Sequence, residues 1–145
     1  MGVREREMFL TATNFLESAD YCFNAKDSFF KGFHGPAIVN YSFACEVYLK
    51  LLLLNQGIKI KNTHNIDYLY QKLTDERKKY IEIQLLNSGH PIKDGFGINQ
   101  IKSIAKYYTN WRYCYEHSNL LGKISFIKTL AEILRDMCNE IISLN

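Results

Sequence analysis

The chain has 145 residues, 47% of them apolar, and carries a net charge of +3. That length fits a single domain over residues 1–145 with a buried core, and the composition excludes an intrinsically disordered chain. The mild positive charge permits an anionic partner without demanding one, because a nucleic-acid footprint needs clustering as well as sign.

The N-terminal stretch Met1-Gly-Val-Arg-Glu-Arg-Glu7 lacks the apolar core of a signal peptide, and Arg6 stands where a myristoylation pattern needs Ser or Thr. From Arg4 to Ser28, Met8, Phe9, Ala12, Phe15, Leu16, Ala19, Cys22 and Phe23 recur at steps of three and four, which predicts an amphipathic helix. Lys31 to Pro36 breaks it, and Pro36 suits the first position of a second helix that runs to Asn55 and closes at Gly57. This second helix is apolar almost all round, the pattern of a central, heavily buried element. Its exception is a polar line, Ser42, Glu46 and Lys50, spaced by four. Glu46 stands in the favourable orientation toward Lys50 for an ion pair set in a groove or interface.

A linker over Ile58–Asn62 leads to a short helix over Thr63–Leu73, capped by Thr63 or Asn65, with His64 as a hydrogen-bonding residue at its start. Thr74 caps the next helix, whose predicted apolar set is Tyr80, Ile81, Ile83, Leu85 and Leu86. Asn87–Gly97 reads as a loop, with three glycines and no phosphate-loop pattern. His34 and His90, each next to Gly or Pro, read as solvated loop residues. A fifth helix is predicted over Ile98–Tyr115 and a last one over Ile124–Leu144, burying Ile127, Leu130, Ala131, Leu134, Met137, Cys138 and Ile141. The fold class is all-α, an up-and-down bundle of five to six helices.

The four cysteines, Cys22, Cys45, Cys114 and Cys138, lie at no metal-binding or redox spacing and read as reduced packing residues. The histidines are not paired at ligand spacing either, so neither a metal nor another cofactor is expected. The longest apolar run is Leu51–Leu54, so the expectation is a cytoplasmic protein without a membrane span.

Chemistry concentrates in Tyr107–Asn119, which holds the only tryptophan, Trp111, together with Arg112 and His117. A guanidinium fits phosphate oxygens, and an imidazole exchanges a proton near neutral pH. Five steps along an ideal helix place the two residues roughly 140° apart. They converge if the helix stops before His117, which Ser118-Asn119-Leu-Leu-Gly122 favours, or if a second copy brings its own pair alongside. Structural readings stay open beside these. Arg112 can pair with Glu116, four residues on, and His117 can cap a helix C-terminus. Tyr107, Tyr108, Trp111, Tyr113 and Tyr115 suit core or dimer contacts as well as base stacking.

Three segments together resemble the HEPN superfamily of small helical bundles. Tyr41–Leu54 is similar to its second-helix pattern of an acid, then Lys four residues on, then leucines. Thr63–Leu69 is similar to its His-polar-aliphatic segment, and Arg112-Tyr-Cys-Tyr-Glu-His117 to its Arg, four to six residues, His signature. The resemblance implies a metal-independent endoribonuclease, a toxin or phage-defence component, working as a homodimer with two Arg-His pairs meeting across a two-fold axis. A nucleotidyltransferase-like antitoxin is the protein partner it suggests. In that scheme Arg112 and His117 are catalytic, and Tyr113, Glu116, Asn119, Glu46 and Lys50 bind substrate or support the site. The alternative is a non-catalytic HEPN module that binds a nucleotide, RNA or a protein. The chain differs from the active family pattern at Tyr113, where a small polar residue is common, and at Asn119, where some toxins carry tyrosine.

Overall fold

A computed structural model of the chain describes residues 2–25, 33–60, 62–90, 101 and 120–144. Those residues form helices α1 (Val3–Asn24), α2 (His34–Asn55), α3 (Ile66–Gln71), α4 (Asp75–Asn87) and α5 (Leu120–Ser143), with no strand among them. The all-α expectation holds.

α2 is the centre of the core because it has almost no polar face to present to water. Ile38, Tyr41, Ala44, Cys45, Tyr48, Leu49 and Leu52 are all fully buried. α1 lies against it through Ala12, Leu16 and Ala19, the middle of the predicted stripe, with Met8, Phe9, Cys22 and Phe23 at its margins. The two run antiparallel: Thr13 meets the Tyr48 hydroxyl at 2.9 Å near one end, and Asp20 accepts from the Tyr41 hydroxyl near the other. α5 covers a further face through Ile127, Leu130, Ala131, Leu134 and Cys138. It runs parallel to α2, since the Cys45 thiol points at the Ile127 carbonyl (3.7 Å) and the Cys138 thiol at that of Tyr48 (3.5 Å). α4 runs opposite to both. Its first turn meets the end of α2 through Arg77, and His90, just past its C-terminus, packs edge-on to Phe126 near the start of α5. The long described helices therefore alternate in direction along the chain, as an up-and-down bundle requires.

Each helix end has a local cause. Gly57 (φ +78°) closes α2, with the Gly57 N–H donating to the Leu54 carbonyl (2.9 Å) and the Ile58 N–H to that of Leu53 (3.0 Å). Gly89 (φ +83°) closes α4 in the same way. Only a residue without Cβ adopts this left-handed turn at no cost. Asn65 caps α3 by accepting from the Tyr68 N–H, and Thr74 caps α4 by accepting from that of Arg77.

Four boundaries or faces differ from the sequence expectation. α1 ends at Asn24 rather than Ser28, with Ala25 already extended. α2 begins two residues earlier, so Pro36 occupies its third position, which is tolerated because first-turn N–H groups have no helical acceptor. α5 begins at Leu120, and Gly122 lies inside it rather than ending a helix. One glycine costs about 1 kcal/mol, little against the burial that starts at Ile124. On α4 only Ile81 and Leu85 are buried, and Tyr80, Ile83 and Leu86 are exposed. An outer helix buries a narrow line, and those three lie roughly 100–160° around the axis from Ile81.

By length and composition α2 is also the one described helix that could cross a membrane, but most of that stretch is buried inside the fold, as expected of a core helix. Cys22, Cys45 and Cys138 are free thiols, the latter two buried, in keeping with the packing role expected of them. Ile101 is buried and helical.

Candidate functional site

The polar line on α2 is where sequence expectation and structure meet. Ser42 donates to the Ile38 carbonyl one turn back (2.7 Å), which satisfies a hydroxyl with no access to water. Glu46 is the only charged residue buried among the described residues, its side chain 3% exposed. Lys50 donates to its Oε1 at 2.6 Å and keeps 17% of its own side chain exposed. The expected ion pair is therefore present, and the carboxylate is its inner end.

His64 is the third member, a hydrogen-bonding residue at the start of α3 as expected, with its partner on α2. Asn65, one of the two expected caps, caps α3, and the imidazole turns back to α2. Its Nδ1 lies 3.2 Å from both oxygens of Glu46. The local chain fixes that position. Thr63 Oγ1 accepts from the Asn65 N–H (3.1 Å), and buried Ile66 and Leu69 pin the following turn. With its side chain 49% exposed, His64 connects a buried carboxylate to the surface. A carboxylate on one imidazole nitrogen orients the ring. His90, expected to be solvated, instead leans on Phe126 and lies 3.5 Å from the Ser125 hydroxyl.

Two further polar clusters have no forerunner in the sequence reading. Arg77 donates to the Leu52 carbonyl (2.8 Å), Gln56 Oε1 (3.1 Å) and Asn55 Oδ1 (2.5 Å), tying α4 to the end of α2. Burial pulls its pKa below the usual guanidinium value. Its reach of 25 residues back along the chain leaves no local signal in the sequence. The second cluster joins three helices: Asp20 accepts from the buried Tyr41 hydroxyl and lies 3.8 Å from Lys128. Burial, then the Asp20 contact, pushes the Tyr41 phenol far above its ordinary pKa.

Open grooves lie elsewhere. One of about 590 Å³ is lined by Asp20, Tyr21, Asn24, Ala25 and Phe33, and one of about 360 Å³ lies between α3 and α4. Neither is lined by a predicted site residue. Among the described residues no group of three or more His, Cys, Asp and Glu could hold a metal ion. Arg112, Tyr113, Glu116, His117 and Asn119 lie outside the described residues, as do Trp111 and Cys114.

The family model described as HEPN domain matches residues 6–144. The chain belongs to the HEPN family. HEPN domains commonly bind RNA and dimerise, and the family includes ribonucleases and nucleotide-binding modules. No curated protein and no solved structure matches the chain. As a HEPN domain it carries its acid-and-lysine pair on the central helix, bound to the histidine of the following segment.

Proposed function

We propose that this HEPN domain is an endoribonuclease whose active site is built from Arg112 and His117, shared across a homodimer. The observation that carries the reading is the Arg112-x4-His117 signature in a chain that matches the HEPN model almost end to end. Arg112 binds the scissile phosphate and stabilises the charge that accumulates on its oxygens. His117 moves a proton as the ribose 2′-hydroxyl attacks the adjacent phosphorus. The products are a 2′,3′-cyclic phosphate and a free 5′-hydroxyl, and DNA, which lacks the nucleophile, is not cut. Tyr113, Glu116 and Asn119 flank the two residues, and Glu46 and Lys50 support the site from α2. A toxin or defence role, with a nucleotidyltransferase-like antitoxin as partner, is the biological setting this activity suits.

The test is cleavage of single-stranded RNA by the purified protein with chelator present. Cyclic-phosphate ends that disappear in Arg112→Ala and in His117→Ala support the reading. Equal cleavage by both variants defeats it. Tyr113 and Asn119, which depart from the active pattern, favour a second reading: a HEPN module that binds RNA, a nucleotide or a protein without cutting. Saturable binding with no cyclic-phosphate product identifies that case.

A further inference from the structure

We draw no further inference here: the strongest candidate, the surface patch on the outer face of α4 where Tyr80, Ile83 and Leu86 are exposed, carries nothing because nothing in the described structure shows what covers it.

Discussion

Replacing Glu46 with glutamine keeps the shape of the side chain and removes the one charge buried in the described core. Taking away one partner of a fully buried pair costs about 3–5 kcal/mol, because the other charge is left without compensation. Here Lys50 keeps 17% of its side chain in contact with solvent, and glutamine can still accept a hydrogen bond, so the loss falls below that range. About 2 kcal/mol follows, equivalent to roughly 6 °C in Tm for a chain of this size. His64 adds nothing to that figure, since its ring is half exposed and screened. The assay is urea unfolding followed by circular dichroism, where the midpoint should fall with an unchanged slope. Replacing both partners with apolar residues, Glu46→Leu with Lys50→Met, should recover most of the loss. Glu46→Gln within about 0.5 kcal/mol of wild type would refute the reasoning, because it would mean the carboxylate is effectively hydrated.

Other expectations are independent of that pair. Arg77→Ala removes the guanidinium that holds the Leu52 carbonyl and Asn55, and should cost about 2 kcal/mol in the same unfolding assay, with Arg77→Lys restoring less than half. Thr74→Ala should cost about 1 kcal/mol through loss of the α4 cap, while Thr74→Ser should be nearly neutral. Burial pushes the Tyr48 phenol up to about 12, and those of Tyr41 and Tyr70 are raised further, each above its unfolded value near 10. The unfolded chain then releases these protons first. Stability contributed by Tyr48 is complete below about pH 10 and falls as pH rises toward 12, which unfolding at stepped alkaline pH measures. Cys45 and Cys138, buried with raised thiol pKa values, should react with a thiol reagent only on unfolding, whereas Cys22 should react in the native protein.

Legibility in the sequence followed the range of the interactions. α2 was readable from its all-round apolar pattern, Gly57 from its place after the last apolar residue, and Thr74 from the acids behind it. Each is a property of a few consecutive residues. The Glu46–Lys50 pair was readable for the same reason, being one helical turn long. Which of the apolar set Tyr80, Ile81, Ile83, Leu85 and Leu86 is buried was not legible, because a hydrophobic residue on an outer helix carries no mark of which neighbours it has. The partners of His64 and Arg77 were not legible because they lie 18 and 25 residues away, on an element whose rotation only the folded bundle fixes. The Arg112–His117 pair was legible as a motif alone, and its residues lie outside the described structure.

The arrangement of the bundle also sets a schedule for its assembly. α1 and α2 can close on each other as soon as both have left the ribosome, but the second apolar side of α2 belongs to α5, which starts 65 residues after α2 ends. Until that stretch is made, the side of Cys45 and its neighbours that α5 covers lacks that helix, on a segment greasy enough to suit a lipid bilayer. A nascent chain in that condition is prone to clumping and a natural client for chaperones. Polypeptides halted before Leu120 should accordingly be recovered in inclusion bodies, and supplying residues 120–145 as a separate peptide during synthesis should rescue some of them into solution.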